Sequence, residues 1–560
     1  MNRWAISSIK TVAALTGLFL AFALWFRFAT KHIPPSLSPR DQTLVDSLAA
    51  LTQDSVFQLK WGCLRYHEAG LWELFLRGDP VARGAAHGRL MKPFLRFQER
   101  AFIEFIRTLI PSESYLECLK YAVAFFNRNI SNYVADEYRK ELLALSFFHD
   151  DTFNFIGSRY ERVLQYHAAH DIGHALQPYL PVACSAFVVW DSLSRDGKLL
   201  LGRNFDFYAG EAFARHRVVQ FVHPNRGYRF ISVAWPGFCG VVSGLNEKGL
   251  AVTINASASR PPLAAKTPIS LLTRQILQYA GTIEEAIQMA QNTEVFVSEN
   301  ILVASGSENK AVIIEKTPEA QAVFTPSRPP LVCTNHYQTE ALRNDPYHQS
   351  HIIVPDSPYR WATLQELLKG QTAWDVPAAA ALLRRRQGIA GESLGFGNPM
   401  AINQLLCHHA VIIQPGERKI WVAAPPFQMG AFVCYQLDSA FSRLAAGKSP
   451  AWDEGFLPPD AFLTSPEWQR VLLYRRLEDL VSWFSTRPRV RTKLSDTVLS
   501  ALISLNPHFY RAYKLAGDEL WRQNRRREAA LMYKKALRCS LPDKREGIVM
   551  LEKIKRVSDL

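Results

Sequence analysis

The sequence has few cysteines, no repeated ligand spacing and no central block of one charge, and each shortage removes a class of protein. Eight cysteines in 560 residues (Cys63, Cys118, Cys184, Cys239, Cys333, Cys407, Cys434 and Cys539) are too sparse and irregular for a disulfide scaffold or a CxxC zinc module. Most read as small buried hydrophobes. No basic run interleaves with aromatic stacking residues in mid-chain, so the footprint of a nucleic-acid enzyme is missing. Half of the formal charge of +14 sits in the tail, where Tyr510 to Leu560 holds 14 Lys plus Arg against 7 Asp plus Glu. That tail reads as a solvated helical face, with contact to anionic lipid as the alternative. A charged fraction of only 21%, beside 48% hydrophobic residues and 33 phenylalanines, excludes disorder as the dominant state. The length exceeds what one core usually supports.

One apolar run approaches membrane length. In MNRWAISSIKTVAALTGLFLAFALWFRFATKHIPP, 16 uncharged residues separate Lys10 from Arg27, near the lower limit for a span. Ala21 and Ala23 offer a signal-peptidase-like site, but Leu24, Trp25 and Phe26 carry the apolar run past it. Residues 1–32 are therefore read as an uncleaved membrane anchor rather than a cleaved signal. Arg3 and Lys10 are balanced by Arg27, Lys31 and Arg40, so flanking charge does not orient it. Export of the bulk of the chain, to the periplasmic or cell-surface side of a membrane, is the default expectation.

Residues 41–183 read mainly as helix, since AFIEFIRTLI and CLKYAVAFFNRNI repeat apolar residues at three- and four-residue intervals. Within them GDPVARGAAHG carries three glycines that mark turns or close backbone contact. From Cys184 to about residue 448 the pattern changes. CSAFVVW, KLLLGRNF, VVQFVHP, RFISVAW and GLAVTINA follow one another as an antiparallel meander would. Two helices follow, TPISLLTRQILQYA and TIEEAIQMA, each opened by a threonine suited to capping. Strands return with NILVASG, KAVIIEK and HAVIIQP, the last paired with KIWVAAP across PGER. This order predicts stacked sheets covered by helices. Residues 449–467 read as a linker. In the basic tail, 468–560, Tyr513, Ala516, Gly517, Leu520, Ala529, Tyr533 and Ala536 fall on the tetratricopeptide spacing. One such repeat cannot bury its face alone and is expected to pack on the main domain or on a protein partner.

Cys184 opens an apolar, β-branched strand in PVACSAFVVW. A thiol of ordinary pKa, about 8.5, is only a few per cent thiolate at neutral pH and needs a base or a cation beside it. Cutting the Ala183–Cys184 bond would create an α-amino group, of pKa about 7.7 to 8.0, on the nucleophile itself. GRNFDF supplies Arg203 and Asp206 on the next strand, an arginine to stabilise the thiolate and an aspartate to hold the amine. GLNEKGLAVTINAS ends a buried strand with Asn255, an amide placed to donate to an oxyanion.

Cys184, GRNFDF, GLNEKGLAVTINAS, TNH at 334–336 and DSPYRWATLQEL at 356–367 together resemble the C45 acyltransferases, the isopenicillin N acyltransferase relatives among the N-terminal-nucleophile hydrolases. Choloylglycine hydrolases and the acid ceramidase group are more distant cousins. The resemblance spans residues 78–426 and implies an αββα sandwich of the α+β class, self-cleavage before Cys184, and attack of the freed cysteine on a linear amide or acyl thioester. It implies Cys184 as nucleophile, Arg203 and Asp206 lining its pocket, and Asn255 as oxyanion donor. Asn335 is implied as the residue orienting amine and substrate, and Arg360 as the arginine closing the set. His336 and Ser357 match the pattern as substrate-binding positions. No cofactor is implied. Relatives usually carry glycine before the cysteine, where this chain has Ala183, and alanine is less tolerant of strained backbone.

Two other readings compete. His170 and His174 in HAAHDIGH stand at i and i+4, as in a metallohydrolase, but Gly173 weakens the helix and no third ligand is evident. In CHHA, Cys407 and His409 on a strand would face one side and His408 the other, so the trio cannot share one metal. A non-catalytic, membrane-tethered assembly protein working through the tetratricopeptide-like tail is the remaining alternative.

Overall fold

Sixteen strands, counted among the described residues, form two sheets in the computed structural model. Everything is described except residues 1–2, 53–54, 111, 176–181, 261, 353–355, 372, 488 and 559–560 and the side chains of 3–14, 169–170, 172–175, 182, 351 and 558. The strands are β1 (Gln58–Leu59), β2 (Gly62–His67), β3 (Leu71–Gly78), β4 (Val182–Asp191), β5 (Gly197–Phe207), β6 (Val218–Pro224), β7 (Phe230–Ala234) and β8 (Ser243–Asn246). They continue as β9 (Leu250–Ala256), β10 (Glu299–Ser305), β11 (Lys310–Lys316), β12 (Gln321–Phe324), β13 (Leu331–Cys333), β14 (His409–Gln414), β15 (Lys419–Ala423) and β16 (Phe432–Gln436). One sheet has the order β1-β2-β3-β6-β7-β8-β9-β10-β11-β12, the other β13-β4-β5-β14-β15-β16.

Three apolar layers show how these sheets stack. Ala186, Val188 and Leu201 of the smaller sheet share a core with Phe221, Val233, Leu302 and Ile313 of the larger. The outer face of the larger sheet is covered by helices Pro80–Leu109, Asp136–Ser146, Arg159–Ala175, Ile269–Tyr279 and Ile283–Gln291. The outer face of the smaller carries Asp356–Lys369 and Val376–Leu383. The result is an αββα sandwich, as expected. Strands covered on both sides are rich in apolar residues, and every residue of β9 is buried, Thr253 and Asn255 included. Gly84 sits where the helix Pro80–Leu109 crosses Asp136–Ser146, and a Cβ there would collide with the backbone oxygen of Glu141. That close approach accounts for one glycine of GDPVARGAAHG.

The structure departs from the sequence reading in four places. Residues 58–78, read within the helical segment, are strands, and β3 runs parallel to β6 in the larger sheet. The expected single meander is divided, β4 and β5 joining one sheet and β6 to β9 the other. Thr282 caps its helix through Glu285 N–H, but Thr267 lies outside its helix and donates to the Tyr133 carbonyl at 3.0 Å. Residues 449–467 are pinned to the sandwich, Leu457 and Phe432 exchanging backbone hydrogen bonds of 3.0 Å.

Residues 3–29 are helical, and Phe26 stacks on Phe125 with centroids 6.1 Å apart. Among the described residues no helix is long and apolar enough to cross a membrane. The first part of the segment expected to be an anchor, residues 1–2 and the side chains of 3–14, lies outside the described residues. In the tail, helices Tyr510–Arg522 and Arg526–Ala536 pack with Gly517 against the Tyr533 ring. Asn506 fastens the tail to the sandwich, donating to the Phe396 carbonyl and accepting its N–H, both at 2.9 Å. Of the two placements expected for this repeat, packing on the main domain is the one seen.

Candidate active site

Alternation along the strands decides what meets Cys184. Cys184 shares the inward face of β4 with Ala186 and Val188, and Arg203 shares that of β5 with Leu201. The Arg203 guanidinium is fully buried, with Nη2 at 3.7 Å from Cys184 Sγ. It donates to Ser243 Oγ at 2.7 Å and to the Ile254 carbonyl, and it lies over the Phe205 ring. Burial pushes the Cys184 thiol up to about 11, with Arg203 pulling the other way. At neutral pH the uncut chain holds a latent, protonated thiol.

The backbone of Cys184 is held from the other side. β13 ends at Cys333, opposite Ala186, so Asn335 stands where a further strand residue would face Cys184. Its side chain takes over that pairing: Oδ1 accepts the Cys184 N–H at 2.8 Å, and Nδ2 donates to the Ala256 carbonyl of the larger sheet at 2.8 Å. Arg360, fully buried, donates to the Cys184 carbonyl at 2.6 Å, to Ser185 Oγ at 3.1 Å and to Asn335 Oδ1 at 3.0 Å. Asp356 lies 3.6 Å from it. Ser357 Oγ accepts the Asn335 N–H at 2.8 Å and lies 2.9 Å from His336 Nδ1. His336 and Ser357 therefore brace Asn335.

Asn255 points inward from β9 and donates to the Cys333 carbonyl at 3.0 Å. One of its two N–H groups is thus committed, and its Oδ1 has no partner among the described residues. Asp206 is the exception to the expected grouping. It is three residues from Arg203 and so projects from the opposite face of β5, paired with Ala183 and 3.3 Å from Gln404 Nε2. The carboxyl stands beside the Ala183–Cys184 bond and not on the inward face with Arg203. Burial pushes it up to about 7, against the opposing charges of Arg360 and Arg203. Ala183 does not take a positive φ. It lies in a regular β pair, so this backbone makes no demand that glycine alone could meet.

The raised pKa of Asp206 has a measurable sign. Below about pH 4 the group is protonated whether the chain is folded or not. Between pH 4 and 7 the unfolded chain loses the proton and the folded chain keeps it, so stability falls as pH rises. In a Cys184→Ala background, Asp206→Asn is expected to raise stability at pH 8 by up to ~4 kcal/mol and to leave it unchanged at pH 4. Thermal unfolding at the two pH values checks this. Equal effects at both would remove the assignment.

Two polar groups of the site were not anticipated. Ser243 Oγ lies 3.0 Å from His409 Nε2, and His409 Nδ1 lies 2.9 Å from His408 Nδ1. Burial holds both imidazoles well below their ordinary pKa and hence neutral. They fix the hydroxyl that Arg203 leans on. His409 begins β14 and shares its inward face with Val411 and Ile413, a parity readable from HAVIIQP. Because the strand starts there, the expected alternation does not extend back to Cys407. The side chains of His170 and His174 lie outside the described residues, and no metal-binding cluster occurs among those described.

A two-sheet sandwich flanked by helices, with a cysteine near the start of an inner strand, is the layer order of the N-terminal-nucleophile hydrolases. Residues 193–390 match the family described as acyl-coenzyme A:6-aminopenicillanic acid acyl-transferase, the family that the motifs resemble. The match begins beyond Cys184. An uncharacterized protein of Archaeoglobus fulgidus is 25% identical over 335 residues, 53% of this chain and 55% of its own. Protein dcd1B of Dictyostelium discoideum is 26% identical over 275 residues, 46% of this chain and 52% of its own. This chain spans about half the length of the curated relatives it matches. Among solved structures, a Caenorhabditis elegans N-acylethanolamine-hydrolyzing acid amidase ortholog is similar at 20% identity and a TM-score of 0.32, covering 42% of this chain and 93% of that one.

Proposed function

We propose that the protein is an N-terminal-cysteine amidohydrolase or acyltransferase that first cuts its own chain between Ala183 and Cys184. The observation that carries this reading is the grip on one residue. The Cys184 N–H is held by Asn335 at 2.8 Å, its carbonyl by Arg360 at 2.6 Å, and its sulfur faces Arg203. In the cut, the thiol adds to the Ala183 carbonyl and the C–N bond breaks. The nitrogen keeps the thiol proton as a free amine, and water then releases the thioester as the Ala183 carboxylate. The new amine remains on Asn335 and becomes the base for the thiol.

In turnover the amine takes the thiol proton and sulfur attacks the carbonyl of a linear amide or acyl thioester. An Asn255 N–H with a backbone N–H supports stabilisation of the oxyanion. The amine returns the proton to the leaving group. Water, or an amine acceptor, then takes the acyl group from Cys184. The intact mass of purified protein tests the first step. A carboxy-terminal fragment beginning at Cys184 is expected, and it should be missing from Cys184→Ala. A single full-length chain in both proteins would remove the activation step.

A further inference from the structure

The two histidines of CHHA form a chain of hydrogen bonds that ends on Arg203, and bonding capacity fixes the direction of every link. Arginine only donates, so the 2.7 Å contact from Arg203 Nη1 uses a lone pair of Ser243 Oγ. The Ser243 hydroxyl proton then requires an acceptor, and His409 Nε2, 3.0 Å away, is the other partner of that oxygen. His409 Nε2 therefore carries a lone pair, which puts the proton of this neutral ring on Nδ1. At 2.9 Å His408 Nδ1 accepts it, so the proton of the second neutral ring is on Nε2. That nitrogen is buried without a partner among the described residues, and its ring makes T-shaped contacts with Trp235 and Phe213. The reverse direction would strand two buried groups, the serine hydroxyl proton and the His408 Nε2 lone pair, where this one strands a single N–H.

The same guanidinium turns Nη2 toward Cys184 Sγ at 3.7 Å. Its planar fork keeps Nη1 and Nη2 in fixed relation, so whatever holds Nη1 aims Nη2. Ser243 does this without charge. A carboxylate in its place would hold the arginine as firmly and cancel its pull on a thiolate. A hydroxyl whose proton is drawn off by a neutral imidazole is a better acceptor than a hydroxyl alone, and it leaves the positive charge to the sulfur. The chain also spans the sandwich, since Ser243 opens β8 of the larger sheet while Arg203 and His409 lie on β5 and β14 of the smaller.

We propose that His409 is a positioning residue for Cys184: acting through Ser243, with His408 fixing its tautomer, it aims Arg203 at the sulfur. The proposal rests on the reading of Cys184 as nucleophile, and thiol chemistry tests it apart from turnover. Alkylation of Cys184 by iodoacetamide is followed by peptide mass spectrometry from pH 6 to 10 in protein that has been left to cut itself. His409→Leu is expected to slow alkylation at pH 7 by about fivefold or more and to move the midpoint of the pH profile upward. His409→Gln, whose Oε1 can accept the serine hydroxyl, should stay within about twofold of the parent. Ser243→Ala should be as slow as His409→Leu, and the double variant no slower than Ser243→Ala alone. An unmoved midpoint in His409→Leu, a glutamine variant as slow as the leucine one, or losses that multiply in the double variant would overturn the positioning role. If circular dichroism shows His409→Leu unfolded, the other two single variants decide, and a parent-like rate in Ser243→Ala overturns the proposal. A parent chain that stays uncut counts against self-cleavage alone, and the same rate ratios are then read on the intact chain. The expected profiles without amide turnover count against the amidohydrolase reading alone, and turnover with an unmoved His409→Leu profile counts against the role of His409 alone.

Discussion

Asn335→Ala is expected to slow self-cleavage strongly and, in whatever fraction is cut, to lower amide turnover by about 10²- to 10³-fold, the range for losing one preorganised hydrogen-bonding group at a buried reaction centre. The side chain joins three parts that must keep register: the N–H of Cys184, the Arg360 guanidinium and the Ala256 carbonyl of the other sheet. Alanine would leave a buried N–H and a guanidinium N–H unpaired, about 1–3 kcal/mol for each neutral group and more for the charged one. In a cut enzyme it would also free the amine to rotate away from the sulfur. Intact mass reports the first effect and steady-state kinetics the second. Complete cleavage with turnover within threefold of the parent would show that Asn335 is only a structural link.

Arg203→Met is expected to slow alkylation of Cys184 by iodoacetamide at pH 8 at least tenfold in the cut protein, with a parallel fall in kcat/KM. Methionine fills much of the volume and carries no charge. Burial chiefly drives the thiol up, and the guanidinium 3.7 Å from the sulfur opposes it. A rise of one unit in pKa is a tenfold loss of thiolate at fixed pH. Arg203→Lys should recover part of the rate through charge, while losing the link to Ser243. An alkylation rate unchanged in Arg203→Met would mean that the new amine supplies all the activation.

Some of this site could be read before the fold was known. Cys184, Arg203, Asn255, Asn335 and Arg360 stand in an order along the chain that the family resemblance picks out, and the structure gathers four of them through direct contacts, with Asn255 tied to Cys333 beside them. Asp206 was grouped with Arg203 because they share one short motif. Residues three apart on a strand face opposite ways, and attention to that parity would have separated them. Ser243 and His409 were out of reach for a different reason. Ser243 meets Arg203 and His409 meets Ser243 from strands of different sheets, and no local pattern announces such a pairing. The strands at 58–78 were hidden because neither a helical nor a strict alternating rhythm stands out where both faces of a sheet are covered.

The parallel pairing of β3 with β6 has a further consequence. Three strands of the larger sheet precede the proposed cut and seven follow it. Once Ala183 and Cys184 are separate termini, the sheet is an assembly of two molecules held by backbone hydrogen bonds. Unfolding the uncut chain is a first-order event whose reverse needs no partner. Refolding the cut protein is a second-order reaction, and each tenfold dilution weakens the folded state by ~1.4 kcal/mol. The cut would convert a stability that belongs to one chain into one that belongs to a concentration.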